Sequence, residues 1–171
     1  MEISSDQWSR IRKFFGNASH VMASMKRSVP YCAISTVNAD GSPRVAPISS
    51  LLLGENQQGF YFEEFISHTT KNLERDQRVC VLIVNNSMWF WIKTIVLGRL
   101  DGPPAVRLFG TVGEKREAQP NEIKTLRRSI RQFKLFKGYK SLWGTMMHGR
   151  EIYFDSFEPV HCGPMVELKS I

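Results

Sequence analysis

Residues 29–53 constrain the fold more tightly than any other part of the chain. The run VPYCAISTV is rich in β-branched and aromatic side chains, and Asn38-Ala39-Asp40-Gly41-Ser42 gathers turn formers. PRVAPISSLLL then returns. This pattern predicts strand, turn and strand, with Gly41 free to take a positive φ. A lone hairpin is marginal in water, so it needs further strands to cover its apolar side chains. Residues 59–65, 78–85, 104–115 and 151–160 supply them. These six runs alternate with no regularly spaced helices, which predicts a mainly β, α+β chain. The expected architecture is an antiparallel barrel or sandwich with helices at its edges.

Four segments read as helices. Trp8, Ile11, Phe14 and Phe15 recur on one face of residues 5–18, after the cap candidates Ser4, Ser5 and Asp6. Residues 67–76 form a short second helix. Residues 87–100, SMWFWIKTIVLGRL, are apolar nearly all round, which predicts an element buried on several sides. In residues 121–137, Ile123, Leu126, Ile130 and Phe133 follow helical spacing, and the other face is basic. The chain of 171 residues is expected to form one domain spanning 1–171. Its first helix covers about 5–18 and its barrel about 28–160.

Composition narrows the chemistry. Cys32, Cys80 and Cys162 form no CxxC pair, which fits a reducing compartment rather than a disulfide scaffold. The first residues carry no apolar signal core, and the apolar stretch at 88–97 is interrupted by Lys93. A bilayer-spanning helix needs about 20 residues, so a cytoplasmic protein with no membrane partner is expected. No GxSxG elbow, GxGxxG or Walker motif occurs, and His161 beside Cys162 is a sequence neighbour only. His20, His68, His148 and His161 are scattered without metal-ligand spacing, so no metal is expected.

Lys and Arg outnumber Asp and Glu by 23 to 16, giving a net charge of +7 and a pI near 9.5. Seven of these cations lie in residues 124–140 with no acid among them. They form either a phosphate-binding surface or the solvated face of an amphipathic helix. No base-reading motif accompanies them, so a nucleic-acid partner is the weaker expectation.

A sharper cluster lies between Asp40 and Val79. Arg44 follows the hairpin turn, and its guanidinium can fork onto phosphate oxygens. Pro47 cannot donate a ladder hydrogen bond, so its strand lies at an edge or is bulged there. A bulge would bring Arg44 and Ser49 onto one face. Ser67, His68, Thr69 and Thr70 precede or open the second helix, where hydroxyls and free N–H groups suit an anion. Lys71 in that first turn opposes the helix dipole unless an anion is near. The alternative is that the hydroxyls cap the helix and both cations are solvated.

At these residues the chain resembles the pyridoxamine 5′-phosphate oxidase-like, FMN-binding split-barrel family. YCAISTVNADGSPRVAPISS, GFYFEE, SHTTKNLERDQRVCVLIV and AVRLFGTVGE carry the resemblance, over roughly residues 28–115. It implies a six-stranded antiparallel split β-barrel with peripheral helices, forming a homodimer with FMN at the subunit interface. By position, Arg44 and Ser49 would line the strand side and Phe62 and Glu63 the next strand. Ser67, His68 and Thr69 would hold the phosphate, with Lys71 close by. Oxidases proper usually carry Ser-Arg-Lys where this chain has Ser67-His68-Thr69, and their C-terminal Arg-x-His motif has no counterpart here.

The resemblance implies a flavin-dependent oxidoreductase acting on a small molecule, with Trp143, Tyr153 and His161 as candidates on the substrate side. The aromatic segment 88–100 is expected to pack in the core or at the dimer interface, or to cover the flavin ring. A non-catalytic flavin or haem binder of the same fold and a basic interaction module are the other readings.

Overall fold

The computed structural model describes residues 2–15, 27–29, 32–64, 67–85, 87–131, 134–135 and 138–161. His20, Phe133 and Cys162, the end of the first expected helix at 16–18, and the end of the third run at Phe65 lie outside them. The elements are α1 (Ser5–Phe15), β1 (Arg27–Val29), β2 (Cys32–Val37), β3 (Pro43–Ile48), β4 (Leu51–Leu53), β5 (Gln58–Phe62) and α2 (Ser67–Arg75). They continue with β6 (Arg78–Val84), α3 (Met88–Leu97), β7 (Ala105–Glu117), α4 (Pro120–Ser129), α5 (Gly138–Trp143) and β8 (His148–Pro159).

The strands form one antiparallel sheet in the order β1-β4-β5-β8-β7-β6-β2-β3. The six expected runs correspond to these eight strands because each of the first two is divided, into β1 and β2 and into β3 and β4. Division is what curls the sheet. β1 and β2 stand six places apart in the order, as do β4 and β3. In a flat sheet six places span about 29 Å. Only two residues intervene in each case, and they extend the chain by about 7 Å. The hairpin therefore bends from one end of the sheet to the other and closes it into a split barrel.

The interior follows from alternation. Cys32, Ile34 and Thr36 of β2 and Val79, Val81 and Ile83 of β6 are buried, and their neighbours along each strand are less so. Leu73 of α2 and Trp8, Ile11 and Phe15 of α1 join this core. Trp8 also donates its indole N–H to the Gly54 carbonyl at 3.0 Å. Ser4 caps α1 by accepting from the Gln7 backbone at 3.2 Å, while Gln7 Oε1 accepts from the Ser4 N–H. A second core, Leu52, Phe60, Phe62, Leu126 and Ile130, lies beneath α4 on the other face of β4 and β5. β7 and β8 change register between Phe109 and Gly110. A Cβ at Gly110 would overlap the Tyr153 carbonyl, so this crossing accepts no side chain.

α3 departs from expectation. Ser87 caps it through the Phe90 N–H at 3.3 Å and Gly98 ends it at φ 63°. Of its ten residues only Phe90 and Thr94 are buried. Met88 is 77% exposed and Ile95 81% exposed. Its apolar surface is not covered by the described residues, because the interior is already filled from the strands, α1 and α2. Among the described residues no helix is long and apolar enough to cross a membrane.

Candidate functional site

The anion-site residues gather around α2. Thr69, Asn72 and Leu73 form its buried stripe, while Ser67, His68 and Lys71 stay on its exposed side. No acid occupies the first turn. Asn72 fixes the helix to the hairpin, since its side-chain amide donates to Thr36 Oγ1 at 3.1 Å and to Asn38 Oδ1 at 2.9 Å. Arg75 adds a hydrogen bond to the Val37 carbonyl. Thr36 is the Cα partner of Arg44 in the β2–β3 ladder. The exposed cation of β3 and the helix bearing Lys71 are thus joined through one buried hydroxyl.

Pro47 lies in an edge strand, and the β2–β3 register is unbroken from Pro43 to Ile48. The bulge alternative is therefore corrected. The chain bends only at Ser49, where no β2 residue requires continued pairing. Arg44 consequently falls on the parity of Thr36 and Ile34. Ser49 instead lines an outer-face groove of about 540 Å³ with Ala33, Pro47, Leu82 and Val84. This groove is largely apolar and open along the sheet edge. The bend is held by Ser50, whose hydroxyl donates to the Phe62 carbonyl and accepts from the Phe62 N–H, each at 3.2 Å.

Phe62 and Glu63 are placed differently from a ligand-lining pair. Phe62 packs edge-on against Phe60 in the second core. Glu63 points into the barrel, where Arg150 Nε donates to its Oε2 at 2.9 Å and the Tyr61 hydroxyl donates to its Oε1 at 3.0 Å. Both members of the ion pair are buried. Burial and the Glu63 charge push the Tyr61 hydroxyl well above its usual pKa. This carboxylate is committed to the interior, a role that period-2 alternation at the end of β5 does not distinguish from a ligand contact.

Of the substrate-side candidates, Tyr153 is exposed and donates its hydroxyl to Glu151 Oε2 at 2.7 Å. Trp143 packs its ring near Tyr139 against the second core. His161 is exposed just beyond β8. These contacts tie Tyr153 to its own strand and Trp143 to the second core, rather than to α2 or β3. On α4 and just past its end, Lys124, Arg127, Arg128 and Arg131 are exposed, and Leu126 faces inward.

Two arrangements escaped the sequence reading. Arg116 forks onto buried Glu122 at 2.9 and 3.0 Å, reaches Glu151 at 2.7 Å and stacks over Phe60 at 4.4 Å. Its signal was Gln119 followed by Glu122 with Pro120 between, a capping-box pattern. The Asn72 anchor had a weaker one, a polar residue in the stripe Thr69, Asn72, Leu73.

Residues 19–136 match the family model described as pyridoxamine 5′-phosphate oxidase. Among solved structures, HupZ from Group A Streptococcus aligns at 14% identity over 92% of this chain and 99% of its own, with a TM-score of 0.53. An FMN-binding protein from Syntrophomonas wolfei aligns at 12% identity over 77% of each chain, with a TM-score of 0.52. A protein from Bacteroides thetaiotaomicron, assigned provisionally to 5-nitroimidazole antibiotic resistance, aligns at 14% identity over 92% and 84%, with a TM-score of 0.50. At these identities the likeness is one of fold. No curated protein matches the chain.

Proposed function

The chain belongs to the pyridoxamine 5′-phosphate oxidase family, and from that premise we propose that it is an FMN-binding oxidoreductase acting on a small molecule. The observation that carries this reading is the tie between β3 and α2, in which Asn72 of the helix bonds to Thr36 opposite Arg44. Arg44 offers a fork for phosphate oxygens, and Lys71, Ser67 and His68 on the exposed side of α2 supply further donors. The absence of an acid from the first turn of α2 suits an anion there.

The residues also fit the rest of such a cofactor. Ala33, Pro47, Leu82 and Val84 give a flat apolar seat, and Ser49 gives a hydroxyl beside it. Arg44 and Ser49 are five residues apart, about 16 Å along the strand. A ligand laid along the open edge of β3 can meet both. When bound, the flavin supplies the redox chemistry, and the chain holds and orients it. Phe62, Glu63 and Thr69 support the frame from inside.

The assembly is a homodimer in this reading. α3 presents Met88, Trp89, Ile95 and Val96 to solvent in one copy, and an apolar helix of this kind is ordinarily covered. The test of the cofactor site compares FMN affinity, followed by quenching of flavin fluorescence, in two double variants. Arg44→Ala with Lys71→Ala weakens binding at least tenfold, as expected for loss of charge-assisted phosphate contacts of about 1.5–3 kcal/mol. Arg127→Ala with Arg131→Ala leaves it unchanged. Equal losses in the two variants overturn the assignment. Bleaching of bound flavin by NAD(P)H then separates a reductase from a passive carrier.

A further inference from the structure

α1 and α3 do not pack flush. Between them, with Phe14 on one side and Trp89 and Phe90 on the other, lies a cavity of about 510 Å³. Small-molecule sites span roughly 300–1,000 Å³. No residue of α2 or β3 lines this cavity. It is therefore separate from the cofactor site, and a ligand within it is independent of the flavin reading.

Its walls are fixed. Phe14 meets Phe90 edge-on with ring centroids 5.9 Å apart, and Phe90 meets Trp91 in the same way at 5.3 Å. The Trp91 indole is tied to the Asn85 carbonyl at 2.8 Å, which holds the start of α3 in place. Gly102 lies against Phe14 at φ +119°, and a Cβ there would come within 3.1 Å of the ring. The turn therefore lets backbone approach the aromatic wall closely.

The rim is cationic. Arg10, Lys13 and Lys93 line it, against the single acid Asp101. Arg10 is engaged by Asp6 at 2.9 Å. Lys93 sits 5.7 Å from the centroid of the Trp89 ring. Among the described residues, neither Lys13 nor Lys93 is held in an ion pair. An aromatic-walled cavity beneath two such ammonium groups matches a ligand with a planar apolar body and one negative end. An uncharged apolar ligand would leave the two lysines without a role, and a polyanion would find no further cations inside.

We propose that the α1–α3 cavity binds an aromatic carboxylate, its ring system between Phe14 and Phe90 and its carboxylate toward Lys13 and Lys93. Equilibrium dialysis of the full chain against naphthoate and against its uncharged isostere naphthamide tests this. Naphthoate is expected to bind saturably and at least tenfold more tightly than the amide, the scale of one charge-assisted contact. Lys13→Gln with Lys93→Gln, two exposed positions, abolishes the preference for the acid, and Arg44→Ala retains it. Equal binding of acid and amide, lack of saturation, or a preference that survives the lysine double variant overturns the proposal.

Discussion

Asn72 donates its side-chain amide to the hydroxyl of Thr36 at 3.1 Å, and Thr36 is the residue opposite Arg44 in the β2–β3 ladder. One buried contact thus links a surface cation on the edge strand to the helix that carries Ser67, His68 and Lys71. Neither partner is reactive. Their importance is positional, because the geometry of an anion site depends on how firmly its elements are held.

Replacing Asn72 with Ala removes the donor to both Thr36 and Asn38. Leaving buried acceptors without a partner costs about 1–3 kcal/mol. For a domain of this size a loss of about 2 kcal/mol lowers Tm by about 4–8 °C. Thermal unfolding by circular dichroism checks the stability, and FMN affinity is expected to fall along with it.

Glu63 and Arg150 form a buried ion pair at 2.9 Å. Glu63→Gln leaves the guanidinium uncompensated and destabilises by about 3–5 kcal/mol. Replacing both residues with Met restores much of that loss, since no charge then stays buried. Urea unfolding of the two variants checks it. Folded Glu63→Gln protein is expected to bind FMN as the parent does, which a ligand-lining role for this carboxylate would not allow.

Asp76 closes α2 by accepting two hydrogen bonds from the Arg78 side chain, at 3.0 and 2.7 Å. Those bonds, then the Arg78 backbone N–H, lower its pKa from 3.8 to about 2. A lowered carboxylate pKa adds stability above its unfolded value, and the contribution is lost as pH falls through the folded value. Asp76→Asn is therefore less stable than the parent at neutral pH. Between about pH 4 and pH 2 the difference shrinks to nothing, as chemical denaturation across that range will record.

The dimer proposal turns on α3. Ile95→Glu places a charge on a side chain that is already exposed in one copy, so it should leave the fold intact. Sedimentation velocity is expected to show a dimer for the parent and a monomer for this variant. A monomeric parent removes the proposal.

Much of the fold was legible because it rests on local chemistry. The turn at Asn38–Ser42, the edge position forced by Pro47 and the inward stripe of Val79, Val81 and Ile83 follow from turn residues, a missing donor and period-2 alternation. The division of the hairpin into four strands was not legible. It depends on where the sheet closes, which is a long-range property that the runs 29–37 and 43–53 do not encode separately. The site was partly legible for the same reason. Arg44 and Ser67 to Lys71 carry recognisable donor chemistry, whereas the fate of Glu63 depends on Arg150, 87 residues away in the chain. α3 misled for a different reason: its apolar composition measures a need for cover without saying whether this chain or another supplies it.

The absorption spectrum of the purified protein after incubation with FMN and desalting bears most directly on the central claim. Retention of the flavin's visible bands, at one FMN per chain and lost in the Arg44→Ala, Lys71→Ala variant, is the predicted result. A colourless protein that takes up no FMN, or one that keeps full flavin absorbance in that variant, would contradict it.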